Sequence, residues 1–227
     1  MAAARLLGDA LPFWDRSVDM VVLTHPHANH VAGLPQVLRR YDVDRILERT
    51  ISFESADYAE WREAVDAEGA AIIQAAAGQI LYTDDGVVLE VLSPPFGKLP
   101  AGVSSDPNRA SLVLRLTYGQ VSFLLTWDMF AEAERELLGR GAPVQSSVLK
   151  VAHHGNRTST SEAFLERVGP AVAVISVGED NRHGHPHDEI YRALLAQVGE
   201  QNLFLTSERG NVEFVTDGTQ LEVKTDR

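Results

Sequence analysis

The sequence contains no cysteine among its 227 residues. A disulfide framework and a cysteine-ligated zinc site are therefore both excluded. Long hydrophobic runs are also missing, because no stretch approaches the roughly 20 apolar residues that a membrane-spanning helix needs. The opening residues, MAAARLLGDALPFW, reach Asp9 too early for a signal peptide and predict a short helix or strand lead-in. We therefore expect a chain that is soluble as given, with its compartment left open.

Positive charge is scarce as well. The chain has 20 Lys and Arg residues against 32 Asp and Glu residues, which gives a formal net charge of −12. Proteins that bind DNA nonspecifically usually present a basic face, so this balance argues against a broad nucleic-acid surface. It does not exclude an enzyme that acts on phosphodiesters, because bound divalent ions can supply positive charge locally.

Strand and helix signals alternate along the chain, and 44% of the residues are hydrophobic, enough to bury a substantial core. The pattern predicts one domain over residues 1–227, a sandwich of two sheets with helices outside. Residues 94–107 are rich in Pro, Gly and Ser and predict a surface loop. Helices are predicted over residues 31–41, 55–68, 130–138, 160–168 and 187–198. Strands are predicted at residues 18–24, 45–48, 146–151 and 171–177, in hairpins around Asp84-Asp85-Gly86 and Tyr118-Gly119, and in a closing series of short strands.

All eight histidines fall into three short clusters. Each cluster follows an apolar run typical of a buried strand, and a fourth such run, VSFLLT, is followed by Asp128. Binding residues gather at the carboxyl ends of buried strands in layered α/β proteins, and imidazole is the commonest metal ligand. The sequence therefore predicts one metal site. A solvated loop and a set of satisfied core histidines are the alternatives, and the clustering at strand ends disfavours both. The clusters are His25, His27 and His30; His153 and His154; and His183, His185 and His187.

Four ordered segments resemble the metallo-β-lactamase superfamily, and in particular the lactamase-like domain of ComEC-type DNA-uptake proteins. LTHPHANHVAGL, LLTWD, VLKVAHHGN and ISVGEDNRHGHPH are similar to the family's LTHPHADHxGGL, LLTGD, LKVxHHGS and SVGxxNxxGHP. The resemblance runs from about residue 18 to the end and implies the αββα four-layer sandwich of the metallo-β-lactamase fold. The family's opening strands, with a DVGQGD-like element, do not precede Val18. We therefore expect a domain that is truncated at its amino terminus relative to the family, with an uncovered strand edge.

The resemblance also implies a role for each motif residue. His153 ends a strand and is preferred over His154 as the later histidine ligand, although spacing leaves both open. The implied metal ligands are His25, His27, Asn29, His30, Asp128 and His153. The implied catalytic residues are Asn29, Asp128 and His185, and the implied substrate contacts are Asn108, Ser111, His154, Arg157 and Arg182.

Two departures from the family pattern bear on activity. Asn29 stands where the family has Asp, and an amide oxygen is a neutral and weaker ligand than a carboxylate. In the family, that Asp also holds the attacking water. Trp127 replaces a Gly beside the bridging Asp128. We therefore expect the second metal position to be weaker than the first, and hydrolysis to be slower than in relatives.

The functional expectation is a metal-dependent hydrolase that holds one or two divalent ions, Zn or Mn. The resemblance favours a phosphodiesterase or nuclease that acts on single-stranded DNA, and the acidic charge makes a small phosphodiester the alternative substrate. The alternative function is a catalytically degenerate binding or scaffolding module. Self-association through the uncovered strand edge is a further expectation, and no membrane segment is expected in this chain.

Overall fold

The computed structural model describes residues 2–97, residue 99 and residues 101–227. Lys98 and Pro100 of the predicted surface loop lie outside the described residues. The chain forms two compact units, one made of the residues up to Ala75 together with Leu99–Ala110, and one made of the stretch from Ala76 together with Ser111–Arg227. The single-domain assignment over residues 1–227 stays a prediction.

The first unit is a three-stranded parallel sheet with helices packed against it. The sheet has the order β1-β2-β3, so β1 lies at one edge. The opening segment is helical rather than extended. The core of the unit packs Trp61 and Ile46, both fully buried, against the helices. The elements are α1 (Ala2–Ala10), β1 (Ser17–Leu23), α2 (Ala28–Val31), α3 (Pro35–Leu38), β2 (Asp42–Glu48), α4 (Ala56–Glu68) and β3 (Ala71–Gln74).

The single helix predicted over residues 31–41 is wrong, because the structure has two short helices, α2 and α3, in its place. Pro35 has no N–H to donate to the carbonyl of Val31, so a continuous helix cannot pass through it. The backbone N–H of Leu34 donates to the Val31 carbonyl instead, at 2.9 Å, and forms a tight turn. Pro35 then occupies the first position of α3, where a missing N–H costs nothing.

The second unit contains a seven-stranded sheet in the order β10-β9-β8-β7-β6-β5-β4. Both predicted hairpins are confirmed, since β4 pairs with β5 and β6 with β7 in antiparallel register. The elements are β4 (Ile80–Tyr82), β5 (Val88–Ser93), β6 (Val113–Tyr118), β7 (Val121–Leu125), α5 (Ala131–Gly139), β8 (Val148–Lys150), α6 (Glu162–Val168), β9 (Val172–Ile175), α7 (Asp188–Val198), β10 (Leu203–Leu205), α8 (Thr206–Arg209), β11 (Val212–Thr216) and β12 (Leu221–Thr225).

Strands β7, β8, β9 and β10 run parallel to one another, so their carboxyl ends meet at one edge of the sheet. The loops after β7, β8 and β9 carry the second and third histidine clusters and Asp128. On one face of the sheet, Leu124, Leu149 and Ile175 pack with Phe164 and Leu194 from the helices in the main core. The sheet thus provides a rigid support for the loops that the sequence singles out.

A separate hairpin, β11–β12, closes the described chain. Its turn is organised by the Asp217 side chain, which accepts hydrogen bonds from the backbone N–H of Gln220 at 2.7 Å and from the backbone N–H of Thr219 at 2.8 Å. These two backbone N–H groups, followed by the Thr219 hydroxyl, lower the pKa of Asp217 to about 2. Among the described residues, no helix combines the length and the apolar character needed to cross a membrane.

Candidate metal centre

The first histidine cluster follows β1 directly. Thr24 and His25 are buried, and His27 precedes the first turn of α2, which carries Asn29 and His30. The ligand nitrogens of His25 and His30 lie within 4.8 Å of each other. The short helix α2 brings the His30 ring to 4.0 Å from the His25 ring, against 5.0 Å for the His27 ring.

One hydroxyl group contacts both closely spaced rings. The Oγ1 atom of Thr24 lies 3.3 Å from Nδ1 of His25 and 3.5 Å from Nδ1 of His30. A hydroxyl oxygen has two lone pairs and can accept from both Nδ1–H groups at once. In that arrangement each ring turns the lone pair of Nε2 away from Thr24, which is the state that metal-binding histidines adopt. Thr24 is a site residue that the sequence analysis missed, although its position before the first histidine could have indicated it.

The remaining residues of this cluster are more exposed. The His27 ring packs edge to face against Phe53 at 5.8 Å, which fixes its orientation. Asn29 is exposed at the start of α2. Its replacement of an acidic residue therefore removes a charge from the solvent-facing side of the cluster rather than from its buried side.

Asp128 and the second histidine cluster come together in the second unit. The Asp128 side chain is almost completely buried, and its Oδ1 lies 3.5 Å from Nε2 of His154. Nδ1 of His154 lies 2.6 Å from the Ser176 carbonyl, which can only accept, so Nδ1 carries a proton. In the neutral ring, Nε2 then holds a lone pair that faces the Asp128 carboxylate. Two acceptors that face each other at this distance suit a shared cation.

The backbone around Asp128 and the second histidine cluster is strained. Trp127, His153 and His154 have φ angles of 39°, 49° and 57°, a region that favours glycine. A hydrogen bond from the His153 backbone N–H to the Trp127 carbonyl, 2.6 Å long, ties the two loops together. Strain of this kind costs about 1–3 kcal/mol per residue and clusters at functional sites. Trp127 thus adopts the backbone conformation that the family's glycine would take without cost.

Gly155 allows the third cluster to approach the second. Its φ angle is +80°, and a Cβ atom added there would lie 2.6 Å from Cβ of Pro186. The backbone N–H of His187 donates to the Gly155 carbonyl at 3.0 Å. This close approach places the His185 ring 6.1 Å from the His153 ring and 6.3 Å from the His154 ring.

His185 is neutral at physiological pH. Its burial lowers its pKa to about 4, and the neighbouring His187, His153, His154 and His183 rings act in the same direction. A ring with that pKa holds a single proton near pH 7, so it can donate or accept a hydrogen bond but is a poor general acid. The catalytic role predicted for His185 stays a prediction.

Lys150 is a second residue that the sequence analysis missed. It ends β8 between Leu125 of β7 and Val174 of β9, and its Nζ is buried without a hydrogen-bond partner among the described residues. Burial lowers the pKa of Lys150, while the charge of Asp128 raises it. A lysine inside an apolar strand was the signal in the sequence that could have identified it.

The predicted substrate contacts differ in environment. Asn108 and Ser111 are buried, and neither Oδ1 of Asn108 nor Oγ of Ser111 has a hydrogen-bond partner in the described part of the chain. Arg157 is exposed, with its Nε 3.8 Å from Oε1 of Glu189, and Arg182 is exposed. Within their own units, the structure groups His25, His27 and His30, and it groups Asp128, His153, His154 and His185. The roles assigned to all these residues stay predictions.

Comparison with known proteins yields one family and several relatives. The family model of the metallo-beta-lactamase superfamily matches residues 12–179. ComE operon protein 3 of Bacillus subtilis is 30% identical over 200 residues, which are 88% of this chain and 25% of that protein. Recombination protein 2 of Haemophilus influenzae is 26% identical over 94% of this chain and 25% of its own length. The chain thus spans about a quarter of the length of these relatives.

A further relative and a solved structure agree with this assignment. Competence protein ComA of Neisseria gonorrhoeae is 37% identical over 113 residues, 49% of this chain and 16% of that protein. The crystal structure of CmlA, a diiron beta-hydroxylase from Streptomyces venezuelae, superposes with a TM-score of 0.58 over 87% of this chain and 44% of that chain. At 13% identity this likeness shows the fold alone. The relatives are consistent with the ComEC-like resemblance of the four motifs, and because the family model matches well over half of its residues, this chain belongs to the metallo-β-lactamase superfamily.

Proposed function

We propose that this chain is a metal-dependent hydrolase that cleaves phosphodiester bonds, with single-stranded DNA as its substrate. The superfamily provides the hydrolase-type fold, and the names of the relatives associate them with competence and recombination. The observation that carries the proposal is the pair of closely spaced imidazoles, His25 and His30, whose Nδ1 atoms both contact Thr24. That arrangement is typical of metal ligands and is unnecessary for histidines that only fill a core.

The donor set fits one or two divalent ions. We propose that His25, His27 and Asp128 hold the first ion, that Asn29 and His30 contribute to the second, and that His153 is the later ligand. Imidazole nitrogens with one carboxylate suit zinc or manganese. Because Asn29 offers a neutral oxygen, the second ion binds more weakly than the first. His154, whose Nε2 faces Asp128, remains the alternative to His153.

When bound, a divalent ion supplies Lewis-acid activation of water and of the phosphoryl group. The protein residues provide binding and orientation. His185 stays neutral and forms hydrogen bonds with the substrate rather than transferring a proton. Arg157 and Arg182 have the guanidinium geometry that binds phosphate oxygens bidentately, and both are exposed. Asn108 and Ser111 supply neutral polar contacts.

The test is a cleavage assay on metal-free protein supplied with manganese or zinc. The substrates are labelled single-stranded DNA, the matched duplex, and bis(p-nitrophenyl) phosphate as a small phosphodiester. We expect cleavage of the single strand, and an Asp128→Asn variant to lose about 100-fold or more in activity. Asp66→Asn, which removes an equal charge from exposed α4, is the matched control and should keep full activity. Cleavage of the small diester alone would reassign the substrate, and no ion-dependent cleavage at all would reject the proposal.

A degenerate binding module is the second candidate, and Asn29 and Trp127 favour it. The Asn29→Asp variant, which restores the residue of the family, distinguishes the two candidate functions. If wild-type protein cleaves the substrate, the enzyme is supported. If only Asn29→Asp cleaves it, the chain is a degenerate member whose fold still supports catalysis.

Self-association is a further proposal about partners. Strand β1 lies at the edge of the three-stranded sheet of the first unit. Edge strands expose backbone groups that pair readily with another chain. Light scattering over a range of concentrations should show a dimer, and a monomer at all concentrations contradicts this proposal.

A further inference from the structure

The side-chain amide of Asn156 has a fixed orientation. The backbone N–H of Thr158 donates to Oδ1 of Asn156 at 3.0 Å. A backbone N–H can only donate, so the atom that it meets has to be the amide oxygen. The amide nitrogen, Nδ2, therefore lies on the other side, 2.9 Å from Nε2 of His185. The hydrogen bonds therefore fix which end of the amide faces His185.

This orientation determines which nitrogen of His185 carries the proton. An amide NH₂ group donates and does not accept, so Nε2 of His185 accepts the hydrogen bond from Asn156. The neutral ring then carries its proton on Nδ1. Because the lone pair of Nε2 is already used, it cannot also bind a metal ion.

The amide oxygen of Asn156 orients the ring of His153 through the hydroxyl group of Thr158. The hydroxyl oxygen of Thr158 lies 3.1 Å from Oδ1 of Asn156, and the only hydrogen between these two oxygens is the hydroxyl proton. With that proton committed to Asn156, the Thr158 oxygen accepts from Nδ1 of His153, 3.1 Å away. His153 therefore carries its proton on Nδ1 and keeps the lone pair of Nε2, the state that a ligand requires.

We propose that Asn156 is a positioning residue that sorts the neighbouring histidines by tautomer. Through Thr158 it holds His153 ready to bind an ion through Nε2, and by direct contact it keeps His185 out of the ligand set. The inference rests on the proposed function only for the identity of the ion. The family pattern quoted above has Ser at this position, so the sorting by an amide is a property of this chain.

A fourth histidine provides an internal reference. Nδ1 of His187 lies 3.1 Å from the backbone N–H of Arg157, which can only donate. His187 therefore accepts through Nδ1 and carries its proton on Nε2, the opposite tautomer. His154, which donates from Nδ1 to the Ser176 carbonyl, belongs with His153 and His185.

The pattern can be read directly by NMR of the full, metal-free chain labelled with ¹⁵N-histidine. Long-range ¹H–¹⁵N correlations distinguish the two tautomers of each ring. In wild-type protein we expect protonation on Nδ1 for His153, His154 and His185, and on Nε2 for His187. Protonation of His185 on Nε2 in wild-type protein would overturn the proposal without any variant being made.

Two variants test the two sides of the amide separately. Asn156→Asp keeps the oxygen that accepts from Thr158 and removes the N–H group that donates to His185. The proton of His185 should therefore move to the other ring nitrogen, while the proton of His153 stays on Nδ1. Thr158→Val removes the hydroxyl group that links Asn156 to His153 and keeps the backbone N–H. His153 should therefore lose its preference for protonation on Nδ1, while His185 keeps the same tautomer. Thr158→Ser should restore the wild-type pattern. Both rings changing together, or neither changing, contradicts the sorting.

Ion affinity gives a second readout. Thr158→Val should weaken the binding of manganese or zinc on the order of 10-fold, because it releases the orientation of a ligand, whereas Asn156→Asp should not weaken it. The converse ranking contradicts the proposal. A wild-type chain that binds no ion would reject the proposed function, while the tautomer pattern would still decide whether Asn156 sorts the histidines.

Discussion

Thr24→Val is the substitution that most directly tests the buried histidine pair. Valine has the shape of threonine without the hydroxyl, and Thr24 is only 5% exposed, so the packing is preserved. The change removes the two contacts to Nδ1 of His25 and His30, at 3.3 and 3.5 Å. Contacts of this length contribute toward the low end of the range for hydrogen bonds, about 0.5–1 kcal/mol each.

Losing both contacts should weaken the binding of the two proposed ions by about 1–2 kcal/mol in total, which corresponds to about 5- to 30-fold in the product of their dissociation constants. The loss arises because each ring becomes free to rotate and to carry its proton on Nε2, the nitrogen that has to bind the ion. Competition against a chromophoric chelator at constant pH measures this affinity. Thr24→Ser, which keeps the hydroxyl, is the matched control and should bind within about 2-fold of wild type.

The reasoning is refuted if Thr24→Val binds the ion as tightly as wild-type protein, or if Thr24→Ser loses as much affinity as Thr24→Val. The thermal midpoint of the metal-free variants separates ion binding from folding. A fall in affinity that merely follows a collapse of the midpoint would assign Thr24 to stability instead.

Three further predictions concern stability and can be checked by urea unfolding. Glu134 is fully buried, and its carboxylate accepts hydrogen bonds from the backbone N–H groups that lead into α6. Glu134→Gln should therefore lower the free energy of unfolding by about 2–4 kcal/mol. A variant within about 0.5 kcal/mol of wild type contradicts this. Gly155→Ala should cost about 1–3 kcal/mol because its Cβ meets Pro186, while the helical control Gly139→Ala, with open space around it, should be neutral or stabilising; equal effects would refute the argument. The pKa of Asp217 is lowered to about 2, below its usual 3.8, so its ionised form stabilises the fold fully above pH 3.8 and this contribution is lost as the pH falls through about 2. In Asp217→Asn the urea midpoint should therefore depend less on pH over that interval than in wild-type protein. Parallel pH profiles of the two proteins would contradict this.

Much of the fold follows from local sequence patterns. The hairpin around Asp84-Asp85-Gly86 was predictable because its turn residues adopt the required backbone angles at little cost. Strand β3 was missed, because its four residues are mostly exposed and its pairing with β2 decides its conformation. The break at Pro35 was overlooked because the apolar spacing continues across it, whereas the missing N–H depends on a single residue.

For the candidate site, too, the sequence predicts some features and not others. Clustering of histidines at strand ends predicts one metal site, and that assignment stays a prediction. Spacing alone could not show that Thr24 contacts two rings, or that His154 rather than His153 has its Nε2 beside Asp128. The placement of His154 accompanies φ angles of the left-handed region at His153 and His154, which few sequences signal. Residue types therefore indicate which side chains could bind an ion, whereas the hydrogen-bond roles require the structure.

Lys150 has a consequence for anyone who tries to improve this protein. A Lys150 Nζ that is buried without a hydrogen-bond partner among the described residues is unfavourable for folding, and aliphatic replacements of buried charged groups often raise stability. A screen that selects only for heat resistance would therefore discard this lysine early. If Lys150 serves Asp128, such a screen would yield a more stable protein that has lost part of its chemistry.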